Sequence, residues 1–174
     1  FTRTPGVLNA SAGSGGAQQS IDLLSGLQIR KPKMSRSGFF VTPSGDVATT
    51  SAAVQSCSRI TLDGDTDVEV IADDTARGVA LLRPKVALAP LAVARFAVLD
   101  RTGAVIGMMT TAPEGSPQLP DDVSFALNAA TVVAASASAG VTLPPAADET
   151  TVGLTSFQLS EKASGMTVLV SCWD

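Results

Sequence analysis

Short apolar segments separated by turn signals are the feature that most constrains the fold of this chain. Asp63-Gly64-Asp65 is a strong hairpin signal, and residues 67–72 after it alternate polar and apolar side chains as half-buried strands do. Charged residues make up only 16% of the chain, while Gly, Ser, Thr, Val and Ala are common. This balance favours many short strands joined by turns, so the sequence predicts an all-β fold.

Further strands are predicted from the same pattern. Phe39–Thr42 and Val47–Thr50 flank a Pro-Ser-Gly-Asp turn, and Ala97–Leu99 and Ala104–Met109 flank a second turn. Val79–Leu82 is a continuous apolar run, which is typical of a fully buried strand. We therefore expect a series of antiparallel hairpins in the first two thirds of the chain.

The last third predicts one helix and a C-terminal hairpin. Asn128 is a suitable N-cap for a helix over Ala129–Ala139, and Gly140 is a suitable residue to end it. After a linker that contains two prolines, Val152–Leu159 and Met166–Trp173 are predicted as two strands. The second of them is apolar at most positions, so we expect it to be central in a sheet or to pair with a partner.

The charge of the chain argues against nucleic acid as a partner. The net charge is −4, and the main basic cluster is Arg30–Lys33 with Arg36. Phosphate binding requires a basic face, so this cluster is interpreted as a solvated connector. No apolar run reaches the roughly 18 residues of a membrane span, so we expect no transmembrane segment.

Metal and cofactor sites are not predicted. Asp63–Asp67 has the alternating acidic residues of a calcium loop, but it lacks the downstream bidentate Glu at the required offset. A hairpin turn is the preferred interpretation. The chain contains no histidine, which makes a transition-metal site improbable. The sequence does not name a small-molecule ligand.

The two cysteines of the chain, Cys57 and Cys172, are predicted to form a disulfide, with two buried free thiols as the alternative. Such a bond would close almost the whole chain and could add about 4–5 kcal/mol by restricting the unfolded state. Disulfides are typical of oxidising compartments. We therefore expect the protein to be periplasmic or secreted.

Residues 37–57 read Ser-Gly-Phe-Phe-Val-Thr-Pro-Ser-Gly-Asp-Val-Ala-Thr-Thr-Ser-Ala-Ala-Val-Gln-Ser-Cys. This segment resembles the first β-hairpin of bacterial trypsin-like serine peptidases, written Gly-Phe-Phe-Val-x-Pro-x-Gly and then Thr-Asn-x-His-Val-Val. Residues 74–82 resemble the strand that carries the catalytic Asp in that family. Residues 98–108 resemble the hairpin after the nucleophile, and residues 122–129 resemble the next strand and the start of the C-terminal helix. The resemblance implies a chymotrypsin-like double β-barrel with one C-terminal helix.

The catalytic residues of that family are missing from the matching positions. Ala52 occupies the His slot, Gly78 occupies the Asp slot, and Ala94–Ala97 stands where Gly-x-Ser-Gly-Gly-Pro is expected. A Ser nucleophile needs an adjacent base and an oxyanion hole, so the resemblance implies an inactive serine peptidase homologue. Gly13–Gly16 has a superficial likeness to the nucleophile motif and is interpreted as a flexible loop around Ser14.

The resemblance divides the chain into three parts. Residues 37–143 form the trypsin-like core, and 144–174 form a linker and the C-terminal β-hairpin. Too few residues separate Leu82 from Val98 for the second-barrel strands of the family, so the second barrel is expected to be truncated or rearranged. Residues 1–36 are then either an N-terminal extension or displaced strands of that barrel.

These observations predict a non-catalytic binding or structural module, an accessory of a larger cell-envelope complex with a protein partner. One alternative is a hydrolase that uses a base other than histidine, such as one of the lysines: Lys31, Lys33, Lys85 and Lys162. A second alternative is one lobe that a partner chain completes. No cofactor is predicted under any of these hypotheses.

Overall fold

The computed structural model describes residues 20–21, 28–94, 107–110, 125–144 and 153–174. The chain divides into two compact units, Phe1–Lys31 and Pro32–Asp174. In the first unit, β1 (Ser20–Ile21) pairs in antiparallel fashion with β2 (Gln28–Ile29). The rest of the described structure belongs to the second unit.

The second unit contains a closed antiparallel barrel. Its strands are β3 (Met34–Phe40), β4 (Val47–Thr50), β5 (Arg59–Leu62), β6 (Thr66–Asp74), β7 (Val79–Pro84) and β10 (Thr167–Trp173). They follow the order β10-β3-β4-β7-β6-β5, and β5 pairs with β10 to close the barrel. Three consecutive hairpin-linked strands, β5 to β7, thus lie beside β4 in a Greek-key arrangement.

Two short strands and two helices accompany the barrel. They are β8 (Gly107–Thr110), β9 (Phe125–Asn128), α1 (Ala129–Ser138) and α2 (Ser156–Met166). β8 pairs with β9 in antiparallel fashion. The side chain of Asn128 accepts a hydrogen bond from the backbone of Ala130 at 2.8 Å, and Gly140 has a φ of +71° just beyond the helix. The predicted helix and both of its ends are therefore confirmed.

Alternating side chains divide the core into two layers. The barrel interior is filled by apolar residues, all but one of them branched, from five strands and the turn after β4: Val47, Ala53, Ile60, Leu62, Val68, Leu82, Val168 and Val170. The outer face of β3, β4 and β7 packs against α1 and β8, where Phe39, Ala48 and Leu81 meet Met108 and Val132. Because β7 is covered on both faces, Val79–Leu82 is fully buried as predicted.

The C-terminal strand is held on both sides. Residues 167–172 of β10 pair with β3, and residues 170–173 pair with β5. Cys172 is bonded to Cys57, and their Cα atoms are 5.3 Å apart, which confirms the predicted disulfide. The apolar tail strand is therefore central in the barrel.

The turn between β3 and β4 is fixed by a buried carboxylate. Asp46 is about 5% exposed, and its two oxygens accept hydrogen bonds from Nε and a terminal nitrogen of Arg83 on β7 at 2.9 and 3.1 Å. The Asp46 carboxylate raises the pKa of Arg83. Gly45 in the same turn has a φ of +94°, a conformation that favours glycine. These contacts fix the hairpin between β3 and β4.

The expected C-terminal hairpin is wrong. Helix α2 occupies Ser156–Met166, where a strand over Val152–Leu159 and a connector were predicted. The helix begins with a capping box, in which Thr155 Oγ1 accepts from the Gln158 backbone and Gln158 Oε1 accepts from the Thr155 backbone at 2.9 Å. The helix leads directly into β10. The described residues of the second unit therefore include two α-helices where one was expected.

The expected chymotrypsin-like double barrel is not confirmed. The described residues form one closed six-stranded antiparallel barrel and two two-stranded sheets, β1 with β2 and β8 with β9. The predicted strands at Ala97–Leu99 and the beginning of Ala104–Met109 lie outside the described residues. Within the described ranges, no helix is long and apolar enough to cross a membrane.

Candidate functional site

Ala52 and Gly78, which the resemblance aligns with the catalytic His and Asp of serine peptidases, lie at one corner of the barrel. Ala52 is exposed in a single 3-10 turn, Ser51–Ala53, that follows β4 directly. Gly78 lies in the turn before β7. The backbone N–H of Ser51 donates a hydrogen bond to the carbonyl oxygen of Gly78 at 2.9 Å. The antiparallel pairing of β4 with β7 ends at the pair Thr50 and Val79. The turn that follows β4 and the turn that precedes β7 therefore lie at the same end of the barrel.

Gly78 meets a backbone requirement. Its φ is +72°, in the left-handed region that glycine enters without steric penalty. A Cβ built at this position would meet the methyl groups of Leu127 at 3.7 Å, an ordinary contact distance. Glycine is therefore favoured here by the backbone conformation of the turn, and not by a lack of space for a Cβ atom. The slot supplies a backbone carbonyl to Ser51 and no carboxylate.

Three polar side chains form a small network at this corner. Gln55 Nε2 donates hydrogen bonds to Ser51 Oγ at 3.3 Å and to an Asp73 carboxylate oxygen at 3.0 Å. An amide is not a proton acceptor at ordinary pH, so Gln55 does not activate the Ser51 hydroxyl as a general base would. Sequence reasoning missed this network, because Gln55 and Asp73 are 18 residues apart.

Asp74, the neighbour of Asp73, is also engaged. Its carboxylate accepts hydrogen bonds from the guanidinium of Arg77 and, at 2.9 Å, from the Arg77 backbone N–H. These bonds, with the side-chain bond as the largest cause, lower the pKa of Asp74. The carboxylate thus stays ionised at ordinary pH and does not act as a proton donor there.

We expect Arg77→Gln to raise the pKa of Asp74 toward the ordinary value of an aspartate, because the variant removes the charged partner. Since the folded-state pKa is depressed, the contribution of this pair to stability is present above the unfolded pKa and is lost as the pH falls through the folded pKa. Carbon-detected NMR titration of the Asp74 carboxyl measures the shift. Arg59→Gln is the matched control: it removes the partner that lowers the pKa of Asp67 and should leave Asp74 unchanged.

Of Ala94–Ala97, which the resemblance aligns with the nucleophile motif, only the first residue is described. Ala94 is fully buried, and its N–H donates to the Phe40 carbonyl oxygen at 2.7 Å. Residues 95–97 and the loop around Ser14 lie outside the described residues. The structure thus brings Ala52 and Gly78 together and leaves the position of the third slot undescribed.

The chain matches no protein family, no curated protein and no solved structure. The trypsin-like resemblance therefore depends on the sequence segments themselves. Of these, 37–57 covers the second half of β3, all of β4 and the turn after it, and 74–82 runs from the end of β6 into β7. Residues 107–108 and 125–129 are described parts of the other two segments, and they lie in β8, β9 and the start of α1.

The acidic segment at 63–67 forms a hairpin turn. Asp63 and Gly64 adopt positive φ angles of 48° and 95° between β5 and β6, and Asp67 pairs with Arg59. The hairpin interpretation is therefore confirmed. In the part of the chain that the structure describes, no three potential ligands of the His, Cys, Asp or Glu type are grouped as a metal site would require.

Two concavities border the second core layer. One is a cavity of about 370 Å³ that Thr50 lines, next to the corner, together with residues of β3, β8 and the end of α2. The other is a wider groove of about 680 Å³ along α2. Leu91 and Phe157 line this groove and are 95% and 73% exposed. Both concavities offer apolar surface next to polar side chains, which suits binding.

Proposed function

We propose that this chain is a catalytically inactive, trypsin-like module that binds a partner instead of cleaving it. The observation that carries the proposal is the corner at which the Ser51 N–H meets the Gly78 carbonyl oxygen. The resemblance requires the His and Asp slots to be neighbours, and Ala52 and Gly78 are neighbours here. Neither residue has a side chain that can accept a proton.

The order of the elements supports the same proposal. The described parts of the four resembling segments are strands, or a strand that enters a helix, as in the family. A closed antiparallel barrel holds the two slots at the ends of β4 and of the turn before β7. On such a scaffold any function has to be sought at sites on its surface, because function is carried by sites on a fold and not by the fold itself.

The chemistry available to the corner supports binding over hydrolysis. The chain has no histidine, and the Ser51 hydroxyl accepts a bond from an amide. The Lys33 amine, one candidate for another base, donates to the Ser56 backbone carbonyl at 3.1 Å and pairs with Asp174 at 3.3 Å. Removal of a catalytic triad lowers kcat by about 10⁶-fold, so hydrolysis at this corner should be negligible.

A protein partner is supported by the groove along α2. Leu91 and Phe157 expose large apolar side chains on its walls, and exposed apolar patches are typical of interaction sites. The disulfide supports an oxidising location, periplasmic or extracellular. We therefore infer an accessory role in a larger cell-envelope complex.

Covalent labelling tests the absence of a nucleophile. The purified, disulfide-bonded chain is incubated with a fluorophosphonate probe and weighed by intact mass spectrometry, with trypsin as the positive control. The expected result is an unchanged mass and no release of fragments from casein. An adduct on any serine that fails to form when the protein is denatured before the probe is added would show an activated hydroxyl and contradict the proposal.

A further inference from the structure

We propose that the cavity beside Thr50 binds a small ligand whose apolar chain ends in a carboxylate. The cavity measures about 370 Å³, within the range of roughly 300–1,000 Å³ that is usual for small-molecule sites. It lies where β3 and β4 of the barrel meet β8 and the junction of α2 with β10. The inference rests on the proposed binding role, since it names what one part of this module binds.

The walls of the cavity are mostly apolar. Phe39, Met108 and Met166 line it, and each is a buried member of the core layer outside the barrel. Methionine side chains are flexible and polarisable, so they adapt to ligands of irregular shape. These walls favour an alkyl or aromatic chain over a sugar or a nucleotide.

Thr50 supplies the observation that points to a ligand. Its side chain is 4% exposed, and Oγ1 has no hydrogen-bond partner among the described residues. Its neighbour Thr49 is also buried, but its Oγ1 donates to the Ser37 carbonyl oxygen at 3.1 Å. Buried hydroxyl groups are normally paired, so an unpaired one on a cavity wall is suited to an oxygen atom of a ligand.

Arg36 indicates the charge of that ligand. Arg36 is exposed. Among the described residues that line the cavity, it is the one with a charged side chain, and none of them is acidic. One of its terminal nitrogens donates to the Ser35 carbonyl oxygen at 3.3 Å. A guanidinium has five N–H donors, so others are left for a carboxylate, which arginine binds in a bidentate manner.

Calorimetric titration of the full, oxidised chain with decanoate tests the site, with decanol and decyltrimethylammonium as ligands of the same chain length. We expect decanoate to bind and both other ligands to bind at least about tenfold more weakly, because charged hydrogen bonds are the stronger ones. Thr50→Val should lower the affinity for decanoate by about two- to tenfold, and Arg36→Met should lower it by about tenfold or more. Lys85→Met, which removes a cation that does not line the cavity, should leave the affinity for decanoate unchanged.

Folding controls keep the result interpretable. Without ligand, Thr50→Val should melt at the same or a higher temperature, because the variant removes an unpaired buried hydroxyl. A lower melting temperature with unchanged decanoate affinity would assign Thr50 a structural role and overturn the site.

A short peptide with a free C-terminal apolar residue carries the same chemistry, and its amidated form is the matched control. Binding of either carboxylate supports the site. The one that binds more tightly shows whether the site prefers a fatty acid or the C-terminus of a peptide. If neither decanoate nor the free peptide binds, or if decanol binds as well as decanoate, the inference is overturned. A chain that is inert to fluorophosphonate yet binds neither carboxylate would refute this inference and leave the inactive-module proposal intact.

Discussion

Loss of the Cys57–Cys172 disulfide is expected to lower the free energy of unfolding by about 4–5 kcal/mol. The bond joins residues that are 115 positions apart, so its removal gives the unfolded chain a large gain in conformational entropy. It also removes the covalent link to β10, the strand that pairs with both β3 and β5 to close the barrel. Urea denaturation of the Cys57→Ser, Cys172→Ser double variant beside the oxidised wild type measures the difference.

The same double variant provides the control for chemical reduction. Dithiothreitol should shift the unfolding midpoint of the wild type toward that of the double variant and should leave the variant itself unchanged. A difference of less than about 1 kcal/mol between the oxidised wild type and the variant would contradict the entropic account of this bond. It would indicate that the unfolded chain is already restricted in another way.

Leu82→Ala is expected to lower the free energy of unfolding by about 2–5 kcal/mol. Leu82 is fully buried in the barrel interior, on β7 opposite Val47 and Val70. Truncation removes apolar contacts from several strands and leaves a cavity that a closed barrel cannot readily collapse. Thermal and urea unfolding of the variant measure the loss.

Leu91→Ala is the matched control, because it makes the same chemical change at a side chain that is 95% exposed. Its effect should stay within about 0.5 kcal/mol. Equal effects at the two positions would contradict the assignment of Leu82 to the barrel interior. Such a result would also remove the basis for treating Leu91 as free surface on the groove along α2.

Local patterns were sufficient to predict most of the strands. The apolar run Val79–Leu82, the alternation after residue 66 and the Asp63-Gly64-Asp65 turn each depend on residues close in sequence, and the structure confirms all three. The cap at Asn128 is predictable for the same reason. Elements of this kind are determined by turn chemistry and side-chain periodicity.

Helix α2 was missed because its local signals conflict. Phe157 and Leu159 at alternate positions suggest a strand, whereas Thr155 and Gln158 form a capping box. The cap prevails, and Phe157 is left exposed at 73%. The Thr155-x-x-Gln158 pattern, which overlaps the apolar pair, was the signal that could have identified the helix.

Contacts distant in sequence could not be predicted from residue patterns. Asp46 and Arg83 are 37 residues apart, and no spacing rule connects them. The closure of the barrel by β10 likewise depends on pairing between the two ends of the second unit. The neighbouring positions of Ala52 and Gly78 were implied by a family resemblance alone, and the unpaired hydroxyl of Thr50 had no sequence signal.

The hydrogen bond from the Ser51 N–H to the Gly78 carbonyl oxygen, 2.9 Å long, is the contact that brings the segments of Ala52 and Gly78 together. NMR detects such bonds as scalar couplings between the amide nitrogen and the carbonyl carbon. We predict a cross peak between Ser51 and Gly78 comparable in intensity to those of the β4–β7 ladder. If the ladder peaks appear and this one does not, Ala52 and Gly78 do not share a corner, and the proposal of an inactive trypsin-like module is contradicted.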